Sequence, residues 1–436
     1  DNNKYMQFIN INKYVGEKKK KGQLKFFLLI IALSILYTSG MSYINWNPTF
    51  GGWIQNVVAI VLVLFLILNF PKSRQYHYRV DAMLLLILPF FSMMNSHSLY
   101  GQGYVDSIKT MTGCFVWVFY FVLHKYKVQE STILKAFLVI SLFIVGVQII
   151  QQFTYPNAVF GVLSDDAMIE KGAQEAAEQR NGLWRFRLGG TVYFTCIILF
   201  ASIAWIRKKF NMKVAILMTL MLVSVYLTLT RQVMAACFLA LFFSFFLGKK
   251  NHGYIQALII GMVIAAILYS YSDVLFGSFA EQTTDDMSDD YIRVLAGTYF
   301  WNESISDPLV FLFGHGLPGQ TGSFKLLMQQ LNQIMKFFTV DVGFIGMTYT
   351  FGAIYVIVCF RLLWRLLITY KKYTPTYIRL FVIFTGVMSI MIFPMTSAFY
   401  YLVWTMLMYI SDLYINRGKE NEKIESMKQN VVVNNG

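Results

Sequence analysis

Apolar residues fall along this chain in long blocks, with neither the alternation of a half-buried strand nor the narrow stripe of a surface helix. Ile54–Phe70 and Ala215–Thr230 run without a single charge. About 18 such residues, rising about 1.5 Å each as a helix, cross a hydrocarbon layer of about 30 Å. The pattern predicts twelve spans, at 24–44, 52–70, 80–98, 107–124, 133–153, 189–206, 213–230, 232–247, 254–275, 340–361, 378–396 and 398–416. Residues 1–416 then form a single integral membrane domain, and the polar tail 417–436 is expected to be disordered and cytoplasmic.

Charge orients the spans. With the N-terminus inside, most of the 37 Lys and Arg fall on the cytoplasmic side, before the first span, in alternate loops and after the last span. That is the positive-inside pattern, and it places both termini in the cytoplasm. The connections are short except for two extracytoplasmic loops, 154–188 and 276–339. Loops of this length are usually functional or disordered. Asp165–Gln179 is rich in helix formers, and Lys325–Phe338 is amphipathic enough to lie on a membrane surface.

Composition agrees. Apolar residues make up 56% of the 436 positions and charged residues 14%, against about 25% charged in soluble domains. A soluble enzyme, a disordered chain and a disulfide scaffold are excluded. The net charge of +14 comes from cytoplasmic loops, so no nucleic-acid partner is implied. Cys114, Cys196, Cys237 and Cys359 all lie in apolar runs and read as buried thiols. The basic run Lys18–Lys21 leads into an apolar stretch without a convincing cleavage site, so no secretory signal is expected.

Several cations break the orientation rule, among them Arg180, Arg185, Arg187, Arg231 and Arg293. Two spans occupy 213–247 between cytoplasmic lysines, and their midpoint is Leu229-Thr230-Arg231-Gln232. Arg231 therefore sits at a tight outer turn, where it either snorkels to lipid phosphates or stands as a fixed cation in a site. Arg185 and Arg187 lie in Trp184-Arg185-Phe186-Arg187-Leu188-Gly189-Gly190, whose interleaved aromatics suit an interface helix or an aromatic belt. Arg293 follows the acidic run 285–290, which either holds it or leaves it to face the site. Arginine binds phosphate through a planar fork that never loses its charge. Several converging outside the membrane suggest a diphosphate or another polyanion there.

The second long loop holds Asp307-Pro308, then Phe313-Gly314-His315-Gly316. His315 is a candidate base, since histidine titrates near neutral pH, or else simply a turn residue. Asp341 opens the next span and is a helix cap, a base or an arginine counter-ion. The acidic run lacks the glycine and terminal glutamate of a calcium loop. No Walker, dinucleotide or zinc spacing is present, so neither cofactor nor metal is expected.

An ordered set of short motifs carries a resemblance. It comprises Arg187-Leu188-Gly189, arginine in Leu227–Gln232, Arg293 through Trp301 and Asp307-Pro308 to Phe313-Gly314-His315-Gly316, and Asp341-Val342-Gly343 with Gly346 and Phe351-Gly352. Over roughly residues 180–400 these resemble the O-antigen polymerase and O-antigen ligase superfamily of bacterial envelope glycosyltransferases. The resemblance implies an all-α, GT-C-like enzyme of the bacterial cytoplasmic (inner) membrane, with its site facing outward and no metal requirement. Its donor would be an oligosaccharide on undecaprenyl diphosphate, held by Arg187, Arg231 and Arg293 with Arg185 beside them. Membrane lipids, a chain-length regulator and a flippase are the other partners it implies.

Ligases of this superfamily usually carry a histidine in the amphipathic stretch before the Glu/Asp-x-Gly span. Ser323–Thr339 has none, and Asp341 stands where ligases have Glu. Both features favour a polymerase of O-antigen, capsule or exopolysaccharide repeat units over a ligase. A flippase for the same lipid-linked sugars is the competing class. It should line its path with charges at mid-membrane depth and show repeat symmetry, whereas the first five spans are nearly charge-free and the halves are unlike. A structural scaffold would need no clustered arginines.

Overall fold

The structure, a computed structural model, describes residues 21–69, 76–161, 177–180, 182–247, 287–393 and 395–434. Long apolar blocks become helices because a backbone deprived of water must satisfy its own hydrogen bonds. The first is α1 (21–37), followed by α2 (Pro48–Leu68) and α3 (Arg79–Tyr100). Then come α4 (Tyr104–Thr110), a tighter turn at Thr112–Val118, α5 (Phe119–Tyr126) and α6 (Glu130–Thr154). A hairpin of β1 (Ala177–Arg180) and β2 (Leu183–Phe186) precedes α7 (Val192–Lys208), α8 (Met212–Leu227) and α9 (Arg231–Leu247). The last group is α10 (Met287–Ile305), α11 (Pro308–Phe313), α12 (Ser323–Gln333), α13 (Gly343–Trp364), α14 (Thr376–Met388) and α15 (Ala398–Asn434).

Among the described residues, five helices are long and apolar enough to cross a membrane, or six if the pair bent by 54° at Met111 is one span. The chain is an all-α membrane protein. A helix overlies each expected span except 254–275, which lies outside the described residues.

α15 runs through the centre, burying Tyr401, Trp404, Tyr409 and Ile410. At the periphery α2 exposes Phe50, Trp53, Ile60, Leu64 and Leu68, a surface suited to lipid chains. All four cysteines are buried, free thiols.

Among the described residues two carboxylates are fully buried, and each has partners, as burial of a charge demands. Asp81 on α3 is paired with Arg365 and, at 3.2 Å, with Arg361. Arg365 also donates to the His77 carbonyl at 2.8 Å and lies over the Tyr78 ring. Asp412 on α15 accepts from Tyr120 and meets His124 Nε2 at 3.0 Å, which fastens the central helix to α5.

Beyond residue 416 the expected disordered tail is helical through Asn434. Glu422 pairs with Lys372 and accepts from the Tyr373 hydroxyl at 2.9 Å. Extending a helix already held by the core avoids the cost of nucleation, so a polar run of helix formers suffices.

Candidate functional site

The site is built where the first long loop meets the turn between α8 and α9. Here the structure corrects two expectations. Trp184–Arg187 does not lie in an interface helix: Leu183–Phe186 is a strand, paired antiparallel with Ala177–Arg180. The helix expected over Asp165–Gln179 is likewise a strand at Ala177–Gln179, while 165–176 lies outside the described residues. The local reason is a period of two. Trp184 and Phe186 face one way, onto Tyr155, with ring centroids at 3.9 and 6.2 Å. Arg185 and Arg187 face the other way. Gly182, just before the second strand, takes the left-handed conformation at φ +73°, which glycine adopts without strain.

Gln152, near the end of α6, fixes the hairpin. Its amide accepts from the Trp184 N–H at 2.9 Å and donates to the Trp184 carbonyl at 2.6 Å. The chain then turns through Leu188–Thr191 into α7. Gly190 sits at φ +69°, and a Cβ there would lie 2.7 Å from the Phe399 ring, so the close approach to α15 requires glycine.

The α8–α9 turn falls where the sequence places it, with α8 ending at Leu227 and α9 opening at Arg231. Leu229 takes the left-handed conformation, φ +47°, and is buried. Thr230 accepts a 3.1 Å hydrogen bond from Arg185 Nη2 and donates to the Thr228 carbonyl at 3.0 Å. Between the hairpin, α6 and this turn lies a cavity of about 170 Å³ lined by Arg185, Arg187, Gly189, Gly190, Thr230 and Gln148 among others.

Asp341 lies in the turn preceding α13, its N–H donating to the Phe338 carbonyl at 3.1 Å. The capping role considered for it is not realised, because α13 begins at Gly343 with Val342 at its cap and no side-chain capping bond. Its carboxylate instead feels the charges of Arg293, Arg187 and Arg185. Arg293 on α10, Asp341 and the hairpin arginines therefore form one electrostatic cluster. Arg231, half-buried at the start of α9, directly follows the cavity-lining Thr230 in sequence but is not itself among the residues that line the cavity.

His315 belongs to another neighbourhood. It is 3% exposed, stacked on Tyr349 at 4.1 Å, and its Nδ1 shares a hydrogen bond with the Tyr100 hydroxyl at 2.8 Å. Its N–H donates to the Tyr349 carbonyl (2.7 Å) and that of Gly316 to Thr350 (2.8 Å). Burial pulls its pKa down to about 4, against a smaller upward pull from the Glu303 backbone. The Gly314 and Gly352 backbones face each other so closely that a Cβ on either would meet a carbonyl of the other segment within 2.4 Å. The Phe313–Gly316 and Phe351-Gly352 motifs are thus two halves of one backbone junction. Asp307 caps α11 by accepting from Leu309 N–H at 2.7 Å, with Pro308 at the first helical position.

α12 packs Phe324, Met328 and Leu331 inward, with Phe324 stacked on Tyr100 at 4.1 Å. Among the described residues, no three His, Cys, Asp or Glu side chains form a group able to hold a metal ion. Residues 285–286 of the acidic run lie outside the described residues.

Sequence reading singled out the arginines and Asp341 but passed over Gln148, Gln152 and Thr230, which shape the same cavity. Compared with known proteins, the chain matches no protein-family model and no curated protein.

Proposed function

We propose that this chain is a metal-independent glycosyltransferase of the bacterial cytoplasmic membrane, with twelve spans and a GT-C-like arrangement. It polymerises undecaprenyl-diphosphate-linked oligosaccharide repeat units into a cell-surface polysaccharide on the outer face. One observation carries the reading: Arg185 and Arg187 line a cavity beside Thr230 and share an electrostatic cluster with Arg293 and Asp341. Bidentate cations of fixed charge, brought together by two separate segments, suit a diphosphate.

In this reading the arginines hold the donor diphosphate. A hydroxyl of the acceptor attacks the anomeric carbon, forming the new glycosidic bond as the carbon–oxygen bond to phosphate breaks. The electron pair leaves on the diphosphate, where the cations offset the growing charge. The hydroxyl proton passes to Asp341, the carboxylate within the cluster. His315, enclosed by Tyr100 and Tyr349, supports the loop rather than handling that proton.

Transfer to a second lipid-linked chain is favoured over transfer to another acceptor. The stretch Ser323–Thr339 carries no histidine, and the inward face of its helix is taken up by Phe324, Met328 and Leu331. The test is incubation of detergent-purified protein with its organism's undecaprenyl-diphosphate repeat units, followed by gel analysis. A ladder of lengthened chains is expected. Transfer only when a different lipid acceptor is added would make the chain a ligase, and no transfer in either case would favour a flippase.

A further inference from the structure

The two faces of α12 are unlike. Phe324, Met328 and Leu331 are buried, and Ser323 Oγ donates to the Tyr100 carbonyl at 2.8 Å, so the helix is fixed to the end of α3. Gln329, Gln330 and Gln333 are exposed. Spacings of three and four residues make them neighbours on one face. The helix carries a single charged residue, Lys325, whose Nζ donates back to the Gln320 carbonyl at 2.6 Å. The outward face is therefore a patch of uncharged amides.

Chemistry restricts what such a patch can meet. Each amide has one acceptor oxygen and two N–H donors, and leaving them unmet in hydrocarbon is costly. This face therefore stands in water rather than against lipid chains. Without charge it does not select an anion. An amide both donates and accepts, and so does a sugar hydroxyl. Neighbouring amides thus match neighbouring hydroxyls.

The chain beyond α12 leads from this patch to the arginine cluster. Lys336 takes the left-handed conformation, φ +59°, and the Phe337 N–H donates to the Leu331 carbonyl at 2.9 Å, which closes the helix and turns the chain. Phe337 then meets Tyr299 of α10, both residues half-buried, with ring centroids 6.0 Å apart. Tyr299 stands six residues, about 9 Å, along α10 from Arg293. Asp341 follows Phe337 by four residues and feels the Arg293 charge. Amides, an aromatic pair and a carboxylate succeed one another from Gln329 to Asp341. Aromatic rings offer the apolar surface against which the C–H face of a sugar packs.

We propose that the Gln329, Gln330 and Gln333 face of α12 binds the acceptor saccharide through its hydroxyls, with Tyr299 and Phe337 supporting a sugar ring between that face and Asp341. This assignment rests on the glycosyl-transfer reading of the site and adds the place of the acceptor to it. The amides touch sugar away from the reacting bond, so they act on acceptor binding and leave the chemical step alone.

The test is steady-state elongation by the full-length protein in detergent, with the concentration of undecaprenyl-diphosphate repeat units varied, for wild type and the double variant Gln329→Ala/Gln333→Ala. Binding of sugar-free undecaprenyl diphosphate is measured beside it. Alanine at exposed helix positions keeps the helix. The double variant is expected to raise KM about 10-fold or more, as for the loss of two neutral hydrogen bonds, with kcat near wild type. Its affinity for undecaprenyl diphosphate should not change, because that lipid carries no sugar to reach α12. Wild-type KM in the double variant overturns the acceptor surface and leaves the glycosyl-transfer reading standing. Weakened binding of undecaprenyl diphosphate also overturns the surface, since the face would then act on the lipid. A wild type that elongates nothing overturns both.

Discussion

Arg185 Nη2 donates to Thr230 Oγ1 at 3.1 Å, a contact that joins the hairpin to the turn from which Arg231 starts. The two residues lie 45 positions apart and come from different loops. The bond fixes one guanidinium at the cavity and ties the Arg231 turn to the strand that carries Arg185. Thr230→Val keeps the shape and removes the acceptor. We expect it to slow glycan transfer roughly 10-fold, the equivalent of one hydrogen bond to a charged group. Thr230→Ser should stay near wild type. Initial rates of ladder formation measure both, and equal rates for valine and serine would remove the contact from the account.

Asp341→Asn separates charge from shape in the arginine cluster. The variant removes the carboxylate that the Arg293, Arg187 and Arg185 charges act upon. Donor lipid should bind at least as tightly as in wild type, because the cations lose a competitor. Transfer should fall by about 100-fold or more, the usual contribution of a general base. Retained turnover in Asp341→Asn would remove the proton-accepting role.

His315 makes a pH-dependent contribution to stability rather than to rate. Its pKa falls from the ordinary 6.5 to about 4 in the folded protein, because burial disfavours the charged ring. Between those values the unfolded chain binds a proton that the folded chain does not. The contribution is therefore fully present above pH 6.5 and is lost as pH falls toward 4. At about 1.4 kcal/mol per unit its ceiling is roughly 3 kcal/mol. Thermal unfolding in detergent across this range should show wild type losing stability relative to His315→Gln as the pH drops. A constant difference between the two would contradict the assignment.

Gly190→Ala tests the packing beneath the site. The added Cβ would lie 2.7 Å from the Phe399 ring, on a backbone at φ +69°. Overpacking of this kind costs about 1–3 kcal/mol, with strain at a left-handed residue adding to it. The melting temperature should drop, and donor binding should weaken because Gly190 also lines the cavity. An unchanged melting temperature would show that Phe399 yields freely.

The apolar blocks made most helices legible, since a charge-free run of span length has few ways to satisfy its backbone. Arg231 could be placed at its turn because cytoplasmic lysines bracket the two runs on either side. The hairpin was harder to see. Helix formers in 165–179 outweigh the period-two order of Trp184-Arg185-Phe186-Arg187 and the Asn-Gly dipeptide at 181–182, although both signals stand in the sequence. Gln148 reads there as one polar residue in a span, and only its contact with Ser224, 76 positions away, gives it a direction. Arg361 and Arg365 read as ordinary cytoplasmic cations until the buried Asp81 of α3 is placed against them. The polarity of the tail does not keep it from being helical, because α15 enters the polar segment already formed.

The central claim is that these arginines hold the diphosphate of a lipid-linked glycan donor during transfer. The most direct measurement is the elongation rate of purified protein on undecaprenyl-diphosphate repeat units, for wild type and for Arg187→Gln, Arg231→Gln and Arg293→Gln. Each variant should retain its melting temperature in detergent. Each should lose about 10-fold to 1,000-fold in rate, the range for a preorganised donor at a developing anion. Elongation at the wild-type rate in all three would contradict the account.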